Sequence, residues 1–108
     1  MHRDEIPPGT LYLLILKTLT RGPEHGYGIA VHIQEVSKEA LRVEEGSLYP
    51  ALHRIEQDGW IRAEWGLSEN NRRAKFYELT AAGKRQLALE EKKWASLTTG
   101  VASVLKFA

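Results

Sequence analysis

Residues Thr10 to Thr20 constrain the fold more than any other segment of this chain. Leu11, Leu13, Leu14, Ile15, Leu16 and Leu19 crowd one helix-length stretch and leave almost no polar face. A helix that is apolar nearly all round must be covered on more than one side. Three short helices cannot easily do that, so a further element is required, and the other end of the chain offers one. Thr80, a plausible cap, starts a segment that stays helical in character to Ala108. At about 1.5 Å per residue it spans roughly 43 Å, more than a domain of this size is wide. Leu87, Trp94, Val101 and Ala108 recur at every seventh position, with Leu97 and Val104 between them. That is a heptad seam, interrupted by Glu90 and weakened at Gly100 by about 1 kcal/mol relative to alanine. A lone chain would leave the seam in water. The expectation is a homodimer whose interface contains Leu11, Leu14, Leu87, Trp94, Leu97, Val101 and Val104, with the last helix covering the partner's first.

Between these helices the pattern changes period. Pro7-Pro8-Gly9 reads as an extended lead-in, and Arg21 to Glu24 as a break. A second helix is expected over His25–Val36, with Ile29, Ile33 and Val36 facing inward. Leu41-Arg42-Val43 alternates like a short strand. Ser47 is placed to cap the next helix, Pro50 fits a first turn, and Gly59 is placed to end it. Two runs rich in Ile, Trp, Phe and Tyr follow, Ile61–Leu67 and Ala74–Leu79. They flank the polar segment Ser68–Arg73 as strands flank a hairpin loop. Helix, helix, strand, helix, strand, strand is the order of a winged helix-turn-helix. The fold expected is therefore mainly α with a small β-hairpin (α+β), divided into a winged helix-turn-helix over 1–79 and a dimerisation helix over 80–108.

The helix after Glu45-Gly46 has two unlike faces. At about 100° per residue, Leu48, Ala51, Leu52 and Ile55 share one of them. The other carries Tyr49, Pro50, His53, Arg54 and Gln57, with no acid at its centre. Two rings and two donor-rich side chains suit a groove lined with acceptors and phosphates. Arg72, Arg73 and Lys75 add three cations within four positions.

Composition bounds the remaining classes. A chain of 108 residues with 43% hydrophobic content supports one domain with a real core. A net charge of +1 argues against binding through bulk charge alone. Cysteine is absent, which excludes disulfides and thiolate metal sites. No leader pattern and no apolar run near the roughly 18 residues of a membrane span is present, so the expectation is a soluble, cytoplasmic protein without membrane association. His53 and Glu56 lie within one helical turn, and His25 and His32 are seven apart. His53 and Glu56 have no third ligand nearby in sequence, and no nucleophile or phosphate-binding glycine loop accompanies them. His25 and His32 have the reach for a metal at a dimer interface, but exposed histidines are commoner than such sites. No catalytic site, metal or cofactor is assigned, and the chain is not read as an enzyme.

Taken together, these segments resemble the PadR family of bacterial transcriptional regulators. The matching pieces are Gly9-Thr10-Leu11, His25-Gly26-Tyr27-Gly28-Ile29, Glu45 through Arg54, Asp58-Gly59-Trp60-Ile61, Arg72 through Tyr77, and Leu79-Thr80-Ala81-Ala82-Gly83. A single helix after Thr80 looks like the short-tailed branch. The resemblance implies a dimeric winged-helix repressor on a pseudo-palindromic operator in double-stranded DNA. Within that architecture, Ser47, Tyr49 and Pro50 stand where a recognition helix enters the major groove, and His53 and Arg54 lie one turn further on. Tyr27 begins the helix that approaches the sugar-phosphate backbone, and Arg72, Arg73 and Lys75 carry the wing to phosphates or the minor groove. Several of these assignments have an alternative: Tyr49 packed against the wing, Arg54 paired with Asp58, Tyr27 in the core, and Arg72, Arg73 and Lys75 as the ordinary cations of a solvated loop. Trp94 has two readings as well. It either packs across the two-fold axis or, as the resemblance to multidrug-responsive members implies, stacks on a flat aromatic effector between subunits.

Overall fold

Pro8 opens the first helix instead of belonging to an extended lead-in. Its ring presets the helical φ, and its missing N–H falls where no intrahelical partner exists. The computed structural model describes residues 6–108; positions 1–5 of the 1–79 segment lie outside the described residues. Helix α1 (Pro8–Thr18) runs into a 3₁₀ turn at Leu19–Arg21, and α2 spans Gly26–Val36. Helix α3 covers Glu45–Gln57, and α4 covers Ala81–Phe107. Among the described residues three strands accompany the helices: β1 (Glu24–His25), β2 (Ile61–Leu67) and β3 (Arg73–Leu79).

The sheet is antiparallel in the order β1-β3-β2. Its third strand is not the expected Leu41-Arg42-Val43. Those residues form an irregular connection whose N–H groups are spent on side chains: Leu41 donates to Ser37 Oγ at 3.1 Å and Val43 to Gln34 Oε1 at 3.4 Å. Glu24 and His25 take the free edge of β3 instead, opposite Tyr77 and Phe76. The hairpin register places Ile61 opposite Leu79, Trp65 opposite Lys75 and Leu67 opposite Arg73.

A second helix start, that of α3, also differs from expectation. Helix α3 begins at Glu45, with Glu44 at the cap position and no side-chain cap, so Ser47 lies inside the first turn. Pro50 consequently falls inside the helix, where it lacks the N–H that would reach the carbonyl of Gly46. The end is as anticipated. Gly59 adopts φ +80°, its N–H reaches Glu56 O at 3.0 Å, and the Trp60 N–H reaches Ile55 O at 3.1 Å. This pair of bonds closes a Schellman end.

Ile15, Leu16, Ile29, Leu48, Leu52, Ile55 and Ile61 form the fully buried centre. Helix α1 is covered largely within its own chain, by α2, α3 and the first turns of α4. Leu11 and Leu87, expected between subunits, belong to this internal core; Leu14 is half-buried beside it. Val36 was expected to face inward, but the core ends one turn earlier at Ile33 and Val36 is exposed. From Glu91 onward every residue of α4 is exposed, including Trp94, Leu97, Val101 and Val104. Among the described residues no helix is long and apolar enough to cross a membrane.

Candidate nucleic-acid interface

The amphipathic split of α3 decides what stands at the surface. Leu48, Ala51, Leu52 and Ile55 are buried, so Pro50, His53 and Gln57 point outward. Ser47 and Arg54 occupy one flank of that face, and Tyr49 and Glu56 the other, by helical spacing. Arg54 Nε lies 3.5 Å from Asp58 Oδ2, the anticipated i,i+4 pair. An exposed pair of this kind is worth only about 0.3–0.5 kcal/mol. It therefore leaves the guanidinium free to exchange partners.

Tyr49 is seated, yet still open. Its ring lies against Gly26, where a Cβ would come within 2.9 Å of Cε1 and 3.0 Å of the hydroxyl oxygen. With 46% of its surface exposed, the ring is held by packing while keeping one side toward solvent. Beneath it, burial pushes the Tyr77 hydroxyl above its ordinary pKa, with smaller contributions in the same direction from Glu56 and Tyr49. Tyr27 is 71% exposed in the first turn of α2, which settles it outside the core.

The three cations of the hairpin part company. Lys75 is drawn toward α3, with Nζ 3.4 Å from Glu56 Oε1 and 5.8 Å above the Tyr77 ring. It bridges strand and helix instead of extending from the hairpin with the other two. Arg73 stacks on Trp65, its guanidinium carbon 4.6 Å from the ring centroid. Arg72 is exposed in the turn, where the Ser68 N–H donates to Arg72 O at 2.8 Å and the Arg72 N–H donates to Ser68 Oγ at 3.3 Å. Among the described residues neither Arg72 nor Arg73 forms an ion pair.

An open cleft of about 700 Å³ separates this turn from α2, with Tyr27, Arg21, His32, Arg72 and Arg73 on its walls and Glu24, Glu35 and Glu69 among them. Arg21 donates to His32 Nδ1 at 2.6 Å. This pair had no signal in the sequence, because the 3₁₀ turn brings it together. His25 serves α2 itself: Nδ1 accepts the Gly28 N–H at 3.0 Å as the helix cap, and the ring meets Phe76 edge-on. His25 and His32 thus have separate partners, and His53 stands exposed while Glu56 pairs with Lys75.

On α4, Trp94 lies at the mouth of a second groove of about 240 Å³, shared with Pro7, Gly9, Thr10 and Leu13 of the α1 end.

Comparison with known proteins agrees with this architecture. The model of the transcriptional regulator PadR-like family matches residues 15–89. Transcriptional regulator Rv3488 of Mycobacterium tuberculosis is 41% identical over 63 residues, covering 54% of this chain and 58% of that relative. A transcriptional regulator from Clostridium thermocellum superposes with TM-score 0.79 at 30% identity, over 93% of this chain and 94% of its own. The PadR-like transcriptional regulator of Bacillus cereus gives TM-score 0.77 at 26% identity, over 93% and 95%.

Proposed function

We propose, for a chain that belongs to the PadR-like family of transcriptional regulators, that it is a cytoplasmic, non-enzymatic, sequence-specific DNA-binding repressor working as a homodimer. One observation carries the reading. The outward face of α3 holds Pro50, His53 and Gln57, flanked by Tyr49 and Arg54, and stands beside a hairpin whose Arg72 and Arg73 have no acidic partner among the described residues. A recognition helix that offers rings and donors to base edges, next to free guanidinium groups for phosphates, is what a duplex requires. Ser47, at the start of α3, and Tyr27, at the start of α2, are in line for the sugar-phosphate backbone.

Footprinting the purified protein on its own upstream DNA tests this directly. A protected, roughly symmetric site is expected. Arg72→Ala should weaken binding to operator and random duplex alike and reduce the slope of log affinity against log salt by about 0.9, one phosphate contact. Tyr49→Ala should cost operator binding more than random-duplex binding. No protected site would favour a ligand-binding or protein-interaction dimer of the same fold.

The homodimer is supported by α4, which exposes Trp94, Leu97, Val101 and Val104 along one stripe. A contiguous apolar stripe of this kind marks an interaction surface. A small aromatic effector is supported by Trp94, half-open at the groove beside Pro7 and Leu13. Planar cationic and aromatic dyes should quench tryptophan fluorescence in the wild type and less in Trp94→Ala, and the bound dye should lower operator affinity. Equal quenching in both would make Trp94 a packing residue.

A further inference from the structure

The hairpin presents a surface that the core does not explain. On β2, Ile61, Ala63, Trp65 and Leu67 share one face by alternation. Ile61 is buried and Ala63 half-buried, yet Trp65 is 58% and Leu67 66% exposed. The apolar face therefore continues past the end of the core that covers its first half. On β3 the matching positions are Leu79 and Tyr77, which are covered, followed by Lys75 and Arg73. The outer half of the hairpin face thus joins two apolar side chains from one strand to two cations from the other.

Arg73 and Trp65 are diagonal neighbours in the register, and the guanidinium lies over the indole at 4.6 Å. A stack of this kind uses the face of the guanidinium and leaves its in-plane N–H donors free. It also removes rotamer freedom from a side chain that would otherwise sweep through solvent. Among the described residues no carboxylate competes for those donors. A flat cation held in place with its donor edge free, next to apolar walls, fits a narrow groove of high negative potential. A·T-rich minor grooves have that form. The exocyclic amino group of a G·C pair changes the pattern of the groove floor.

We propose that Trp65 is the positioning residue that makes Arg73 a minor-groove reader, so that the protein prefers A·T over G·C pairs in the DNA flanking the segment covered by α3. The proposal rests on the DNA-binding reading above. To test it, the full chain is first used to select bound sequences from a random duplex library. The recovered site is then synthesised with A·T and with G·C flanks of equal length. The wild type should favour the A·T version by about tenfold. Trp65→Phe retains an aromatic face and should keep most of that ratio. Trp65→Leu should bring the ratio close to one, with thermal stability and salt dependence near those of the wild type. Arg73→Lys keeps the charge but not the plane, and should lose the ratio while preserving the salt slope. A wild type that binds its site without flank preference overturns the proposal and leaves the DNA-binding reading standing. So does Trp65→Leu with an undiminished ratio, or Arg73→Lys with one. Recovery of no bound sequence at all removes both readings.

Discussion

Gly83→Ala should destabilise the fold by about 3 kcal/mol, at the upper end of the overpacking range. A chain of this size would lose on the order of 15 °C in melting temperature. The reason is a contact between main chains. A Cβ at Gly83 would overlap the carbonyl oxygen of Trp60 and crowd its carbon at 2.9 Å. Neither group can swing aside, because both are pinned. The Trp60 carbonyl accepts the Thr80 N–H at 3.1 Å, and the Gly83 N–H donates to Thr80 Oγ1 at 3.0 Å. Thr80 Oγ1 in turn donates to Gly59 O at 2.6 Å. Gly100 supplies the control from the same helix, since nothing lies within 4 Å of a Cβ placed there. Gly100→Ala should leave the isolated fold intact and gain up to about 1 kcal/mol in helix propensity. Calorimetry on both variants at one protein concentration distinguishes a junction defect from a general intolerance of change in α4. Equal melting temperatures for Gly83→Ala and the wild type would contradict the packing described.

The second large effect concerns assembly. Val101→Glu combined with Val104→Glu puts two carboxylates on the exposed stripe of α4. In an isolated chain they cost little, because both positions already face water. In a dry seam between two copies, each unpaired charge costs several kcal/mol, roughly 3 kcal/mol apiece. That is on the order of a hundredfold in dimer dissociation per charge, and each substitution brings one charge from either copy. Sedimentation should therefore report a dimer for the wild type, as proposed, and a folded monomer for the double variant, with the helical circular dichroism largely kept. The folded monomer is expected because Leu11, Ile15, Leu16 and Leu87 find their partners inside one chain. A double variant that remains dimeric would move the interface off this stripe.

Much of this molecule was legible in the residue pattern. Alternation and turn chemistry marked β2 and β3 to within one residue. The Thr80 cap and the Gly59 stop are side-chain and φ requirements that a sequence displays openly. Local preference says less where distant contacts override it. Leu41-Arg42-Val43 has strand-like alternation, but Glu24–His25 take the place beside β3, and the Leu41 and Val43 N–H groups go to Ser37 and Gln34 instead. The apolar girth of α1 did signal cover on several sides, yet it could not say that the cover came from the same chain. Arg72, Arg73 and Lys75 form one cluster in the sequence. Strand alternation places Arg73 and Lys75 on one face, and their nearest rings and acids, Trp65 and Glu56, sent them to different tasks. The Arg21–His32 contact depends on a turn geometry with no motif to announce it.

The joint between α4 and the winged body has a mechanical consequence. Thr80, Gly83, Gly59 and Trp60 interlock through three hydrogen bonds and one backbone contact that leaves no room for a methyl group. Such a joint does not hinge. The helix of 27 residues beyond it is an arm of roughly 40 Å, welded at its root. A rotation of about 5° at the far end of an arm this long moves the body at its root by about 3.5 Å. That is the rise of one base pair along B-DNA. In the proposed homodimer, small rearrangements where two such arms cross would thus arrive at the outer surface of α3 magnified and undamped, as a change of reading frame along the proposed duplex.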